Sequence, residues 1–211
     1  MPKNSDAPIA KFEYSNDWPS HTASYLWPVL LQVIRSRAFS QKRVFDLGCG
    51  NGATAEMLSN EGFDVTGVDP SASGIEIAKR RRNVNLRFHV ASSHDDLAEK
   101  FGTFPLVVSL EAISFVLDTK LFAQRIFELV EDDGVAVVSA TYHGFLKNLM
   151  ISIVNGWDKH LDPLSDNGLI KFFSPETLGR LLTSAGFKRI EMVKAGRIPM
   201  FAKSMVAIVY K

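Results

Sequence analysis

Two acidic side chains flanking a run of glycines carry the most specific chemistry in this chain. Asp46 opens DLGCGNG, in which Gly48, Gly50 and Gly52 alternate with Cys49 and Asn51. Glycines at this spacing let the main chain turn tightly and let a ligand approach backbone N–H groups. Gly48, Gly50 and Ala53 also satisfy the dinucleotide pattern G-x-G-x-x-G/A, so the loop alone leaves a nicotinamide-dependent oxidoreductase open beside a plain glycine turn. Asp69 follows the glycines by about 20 residues, where a carboxylate can accept both hydroxyls of a ribose. Asp46 suits a ligand that carries an ammonium group and a positive sulfonium, and would repel a pyrophosphate.

Further titratable groups cluster in TYHGFLKNLMISIVNGWDKH: Tyr142, His143, Lys147, Trp157, Asp158 and His160. His143 falls just after an apolar strand, where a neutral imidazole can take a proton from a phenol. The alternative is a loop histidine that caps backbone groups; His160 has the weaker claim. Cys49 is the single cysteine, which excludes an internal disulfide and a Cys-rich zinc site. It reads as a structural thiol, and no metal site is expected.

The elements that must position these residues alternate. Arg43–Leu47 reads as a buried strand, Ala53–Asn60 as a helix, and Phe63–Val68 as a second strand. Ser71–Arg81 is a helix, Asn85–Val90 a third strand, and PLVVSL from Pro105 to Leu110 a fourth, apolar on both faces as a central parallel strand should be. Thr119–Val130 is a helix. Gly134–Ala140 is a fifth strand, entered through a turn at 131–134. Such alternation implies a doubly wound α/β sheet, and a ligand site at the carboxyl ends of its strands. A helix at Pro175–Ala185 precedes two strands, Phe187–Val193 and Lys203–Tyr210. Their connection is too short for a parallel crossover, so they form an antiparallel pair.

The whole of 1–211 reads as one domain. Residues 1–38 form a loose arm followed by a helix from His21 to Arg37, and 141–173 form an insert or lid after the fifth strand. In that insert Phe145, Leu146, Leu149, Met150, Ile153 and Trp157 make a helical stripe, with Ile151 off it. Three readings apply: packing on the core, a lid over an apolar acceptor, or peripheral contact with a membrane surface. Ile170, Phe172 and Phe173 extend the apolar wall.

Charge narrows the partners. The 24 Lys and Arg nearly balance the 23 Asp and Glu, which argues against binding nucleic acid by bulk electrostatics. The run Lys79–Arg82 reads as the solvated end of a helix. The first residues lack the apolar core of a signal peptide, and no apolar run reaches the ~18 residues of a membrane span. A cytoplasmic protein is expected.

DLGCGNG together with VDP resembles the first motif and the acidic second-strand end of class I S-adenosylmethionine-dependent methyltransferases, from about Gln41 to the C-terminus. MLSNEGFDVTGVDPS and FHVASSHDDLAEKFGTFPLVVSLEAISFVLD are further similar to the O-methyltransferases of ubiquinone biosynthesis. The resemblance implies a Rossmann-like seven-stranded sheet, mostly parallel with an antiparallel C-terminal strand. It implies S-adenosylmethionine as cofactor, S-adenosylhomocysteine as product, and a small or lipid-like acceptor methylated at oxygen. It places Asp46, Gly48, Cys49, Gly50 and Gly52 around the methionine part, Asp69 with Pro70 at the ribose, and Ser92, Ser93 and His94 beside adenine; a serine-capped turn is the alternative for those three. It also places Leu110 and Glu111 under the methyl-bearing sulfur; Glu111, with the His143 of the strand-end reading, is expected nearest the acceptor. Relatives carry a Glu-His pair just after the fourth strand, where this chain has Ser114 and Phe115. A module that binds the cofactor without catalysis is therefore a further alternative.

Overall fold

The computed structural model of the chain describes residues 12–160, 169–198 and 201–211. Seven strands form one sheet: β1 (Arg43–Leu47), β2 (Asp64–Asp69), β3 (Leu86–Val90), β4 (Phe104–Ser109), β5 (Val130–Thr141), β6 (Arg189–Ala195) and β7 (Ser204–Tyr210). Their spatial order is β3-β2-β1-β4-β5-β7-β6. The first five are mutually parallel, while β7 runs antiparallel to both β5 and β6. The doubly wound sheet with an antiparallel C-terminal strand is thus as the sequence implies.

Helices cover both faces because the central strands are apolar on both sides. On one face α1 (Ala23–Arg35) sets Leu26, Leu30 and Val33 against Val44, Leu106 and Val108, with Leu58 of α2 (Ala53–Asn60) and Ile75 of α3 (Ala72–Ala78). On the other, Ile126 and Leu129 of α5 (Thr119–Leu129) and Leu178 and Leu182 of α8 (Pro175–Ala185) pack on Phe45, Val107 and Val138. A short helix, α4 (Leu97–Phe101), joins this layer through Leu97. Its five residues are too few to show a helical period in the sequence.

Several boundaries differ from expectation for local reasons. The expected turn at 131–134 lies inside β5 as a bulge: Phe104 pairs with Val130 and Leu106 with Val135, leaving four residues unmatched, with Asp133 at φ +62°. The third helix stops at Ala78, and Arg81 beyond it turns inward. The arm is not loose over residues 12–20. Asn51 Nδ2 donates to the carbonyls of Asn16 and Trp18 at 2.9 Å each, Arg81 donates to the Asp17 carbonyl, and Tyr14 N donates to Ser73 Oγ at 3.1 Å. Of the basic run only Lys79, Arg80 and Arg82 are solvated.

The insert departs furthest. Its stripe does form α6 (Phe145–Ile153), followed by α7 (Trp157–His160), but no residue of α6 is buried. Phe145 is 77% and Ile153 67% exposed, so the stripe does not pack on the core. Among the described residues, no helix is long and apolar enough to cross a membrane.

Candidate functional site

The strand order reverses between β1 and β4, whose neighbours β2 and β5 wind away in opposite directions. That switch point leaves a crevice at the carboxyl ends of the strands. Ser109 ties the two strands together there by donating from Oγ to the Leu47 carbonyl at 2.9 Å. Above lies a cavity of about 1260 Å³, larger than the roughly 300–1,000 Å³ that holds one drug-sized ligand.

Most of the residues singled out in the sequence meet here. Gly48, Cys49, Gly50, Asp69, Pro70, Ser92, Ser93, His94, Leu110 and Glu111 all line the cavity. Asp46 and Gly52 do not. Gly52 caps α2 at φ +77°, and a Cβ there would come within 2.9 Å of both Ala78 and Phe88. Its service is to packing.

The loop is not a cradle of free N–H groups, contrary to the sequence expectation. Gly48 N and Cys49 N donate to the Val68 carbonyl at 2.8 and 3.0 Å, and Gly50 N to Asp69 Oδ2 at 2.9 Å. Gly52 N and Ala53 N also have acceptors within the loop. Donors already spent on the protein are poorly placed to bind a pyrophosphate. This counts against a dinucleotide, as the position of Asp46 did.

The two aspartates differ in how they are held. Asp69 accepts from Gly50 N and from Ser71 N at 2.8 Å, leaving lone pairs on both oxygens for a ligand. Burial raises its pKa, and those two bonds pull against the rise. Asp46 is 2% exposed and its Oδ2 has no partner. Burial first, then the nearby Asp69, push it up to about 7. An orphaned carboxylate oxygen beneath a cavity is where a cationic ligand group gains most. Cys49 is buried, and its thiol is raised well above the ordinary value by that burial and by the two aspartates; it stays a structural thiol.

Tyr14, outside every motif of the sequence, also lines the cavity. Its ring stands over the loop so closely that a Cβ on Gly50, at φ +53°, would overlap the phenol. Its pKa is raised, chiefly by burial and then by Asp69, Cys49 and Asp46. The aromatic residues of FEYSNDW were the available signal, hidden by the polar composition around them.

Ser92, Ser93 and His94 form a loop that is also internally braced. Asp95 Oδ2 accepts from Ser92 N at 2.8 Å, and Ser92 Oγ accepts from His94 N at 3.2 Å. The Ser93 carbonyl accepts from Arg125 Nε.

Glu111 occupies the left-handed region at φ +62°, which a non-glycine residue adopts only under strong local constraint. Ser139 supplies it: its Oγ accepts from Glu111 N and donates to Glu111 Oε1, both at 2.8 Å. Thr141 Oγ1 donates to Oε2 at 2.8 Å, and Ser204 also bonds the carboxylate. Ser204 meets Tyr25 Oη at 3.4 Å. Burial raises the Glu111 pKa; the three hydroxyls and nearby His21 oppose the rise. Burial likewise raises Tyr25.

The structure does not bring His143 to this cavity. Its ring packs edge-on to Phe172 at 5.3 Å, and its carbonyl accepts from Asn148. Tyr142, Trp157 and Asp158 are likewise off the lining, and the side chain of His160 lies outside the described residues. Lys147 does line it, with Met150 and Ile151, so the residue that fell off the apolar stripe faces inward. Ile170, Phe172 and Phe173 do not complete the wall; neighbouring Leu169 does. Ser114 is fully buried and structural: its carbonyl accepts from Ile170 N and Lys171 N at 3.0 Å each, clamping the insert. Phe115 lines the cavity. No group of described residues is arranged to hold a metal ion.

Comparisons with known proteins bear on the family and the fold. The chain is 30% identical over 154 residues to a ubiquinone biosynthesis O-methyltransferase of Azorhizobium caulinodans, covering 71% of this chain and 60% of that one. A protein of the same name from Aromatoleum aromaticum is 26% identical over 211 residues, covering 95% and 90%. The fold matches an S-adenosylmethionine-dependent methyltransferase from Mesorhizobium loti with a TM-score of 0.67 at 16% identity, over 88% of this chain and 97% of that one. A family model described as a methyltransferase domain matches residues 20–192, and the chain belongs to that methyltransferase family.

Proposed function

We propose that the protein transfers a methyl group from S-adenosylmethionine to a hydroxyl of a small acceptor with an apolar part. The observation that carries this reading is the pair of buried carboxylates at the switch point, one of them with an orphaned oxygen, beneath a cavity roomy enough for donor and acceptor together. The residues present fit the cofactor. Asp46 would meet the ammonium, with Gly48, Cys49 and Gly50 along the methionine part and Gly52 shaping the loop from behind. Asp69 and Pro70 would hold the ribose, Ser92, Ser93 and His94 would flank adenine, and Leu110 would lie beside the sulfur. When bound, the sulfonium supplies an electrophilic methyl carbon, so the hard chemistry belongs to the cofactor.

What this chain adds is alignment, dryness and a place for a proton. Phe115, Leu110 and the arm residues Phe12 and Tyr14 wall the cavity against water. Glu111 would take the acceptor's proton: its carboxylate is anchored by hydroxyls and is more basic than an ordinary one, because burial disfavours its charge. His143 has no such role in this reading. Similarity to the ubiquinone-pathway enzymes supports oxygen as the methylated atom.

Met150 and Ile151 on the cavity wall support an acceptor with an apolar part, and the exposed apolar side of α6 secondarily supports a peripheral membrane contact that flotation with lipid vesicles would test. The central test is calorimetry with S-adenosylhomocysteine and with NAD, followed by a panel of phenol, quinol, amine and thiol acceptors with labelled donor. Binding of S-adenosylhomocysteine alone and label on phenols or quinols is expected. NAD binding, or label only on amines or thiols, would overturn the reading.

A further inference from the structure

We propose that Lys147, Arg197 and Lys203 form an anion subsite at the acceptor end of the cavity, which takes a carboxylate or phosphate group carried by the methyl acceptor. The inference rests on the methyl-transfer reading above and deepens it by naming the acceptor's charge.

The three cations come from separate segments. Lys147 is on α6, Arg197 follows β6, and Lys203 immediately precedes β7. All three line the cavity. Lys203 N donates to the Ala195 carbonyl at 2.9 Å, which holds the start of β7 beside the end of β6, two residues before Arg197. The ammonium of Lys203 lies 5.7 Å from the centre of the Tyr25 ring. Tyr25 in turn reaches Ser204, which bonds Glu111. The cluster therefore adjoins the carboxylate assigned to the acceptor's proton. It is remote from the ribose carboxylate, because β7 is four strands from the Asp69 strand, about 19 Å at normal strand spacing.

No described carboxylate pairs with any of the three. The ion pairs among described residues use other cations, such as Arg35, Arg81 and Arg125. Glu111 is engaged by Ser139, Thr141 and Ser204 instead. The half-buried Lys147 ammonium is disfavoured by desolvation and then by Arg197 and Lys203, so its pKa is lowered. Like charges gathered on a partly apolar wall beside Met150, Ile151 and Phe201 repel one another until an anion arrives. The two charge signs of this end also set an orientation, with the acceptor's anion toward the cations and its hydroxyl toward Glu111.

The test is the binding of four catechols, measured by calorimetry with and without saturating S-adenosylhomocysteine. They are protocatechuate, its neutral primary amide, the corresponding arylphosphonate and the corresponding benzylamine. The parent is expected to prefer an anionic ligand over the amide by about tenfold, with the benzylamine weakest. Carboxylate against phosphonate distinguishes the two anion sources. Lys147→Gln and Lys203→Gln should each lose most of that preference, and Arg197→Glu should favour the benzylamine, while S-adenosylhomocysteine binds all variants as it binds the parent. Equal binding of anion and amide by the parent overturns the subsite, as does a preference that survives all three substitutions. A matching loss of S-adenosylhomocysteine affinity would reassign the cations to the donor's own carboxylate and also overturns it. If the anion preference holds but no catechol is methylated, the oxygen-transfer reading falls and the subsite stands.

Discussion

Glu111 joins three properties that a merely structural carboxylate does not need together. It holds a left-handed backbone, it is nearly buried, and hydroxyls from β5 and β7 converge on it. Strain and burial of this kind persist where a group must be held for a purpose. Glu111→Gln keeps the volume but cannot take a proton. We expect kcat to fall about 100-fold, within the range for loss of a general base, with S-adenosylhomocysteine affinity unchanged; equal kcat in both proteins would remove Glu111 from the reaction. Asp69 has two tasks, since it fixes Gly50 N and Ser71 N and leaves lone pairs for a ribose. Asp69→Ala should therefore weaken S-adenosylhomocysteine binding by about 1–3 kcal/mol and also lower the melting temperature. Unchanged affinity in that variant would refute the ribose role.

At the scale of elements, legibility followed regularity. Arg43–Leu47, Ala53–Asn60 and Pro175–Ala185 were read to their ends, because apolar spacing and flanking Gly or Ser residues agree there. The antiparallel pairing of the last two strands followed from connection length alone. Short or non-local features were not legible. α4 spans barely more than one turn, and the bulge in β5 depends on its partner β4. The stripe on α6 has the spacing of a core helix, yet the sheet faces are already covered by α1, α5 and α8, so it stays outside. The candidate site divides in the same way. Local motif residues such as Gly48, Gly50 and Asp69 reached the cavity, whereas His143, placed by a position in sequence, did not. The order of the arm is not legible because it is held by long-range bonds from Asn51 and Arg81, not by any pattern of its own. Asn51→Ala removes two of those bonds and should loosen the arm by about 1–2 kcal/mol. Limited proteolysis should then cut within residues 12–20 faster than in the parent; identical cleavage rates would show that Tyr14 and Arg81 hold the arm unaided.

At the scale of the whole molecule, the switch point concentrates buried negative charge that the ligand-free fold must carry alone. Asp46, Asp69 and Glu111 all have raised pKa values, each chiefly through burial. A carboxyl group that binds its proton more tightly when folded stabilises the fold at low pH. For Asp46 that contribution is complete below the ordinary value of 3.8 and is lost as pH rises through the folded value of about 7. The free protein should therefore melt at a lower temperature above about pH 7 than near pH 5, by an amount equivalent to a few kcal/mol. An ammonium group beside Asp46 reverses the preference, because an opposite charge favours the ionised carboxylate. Binding of S-adenosylhomocysteine should then release protons near neutral pH and tighten as pH rises from about 5 to about 7. The increase in melting temperature caused by a fixed excess of ligand should grow over the same interval, since ligand stabilisation follows affinity. Asp46→Asn provides the control. It removes the buried charge, so the free variant should lose the part of the pH dependence of its melting temperature that Asp46 contributes, and its weaker ligand binding should tighten less with pH. A parent protein whose ligand-induced shift is flat across this range would place the ammonium elsewhere, and Asp46 would then be a buried acid that the fold keeps protonated.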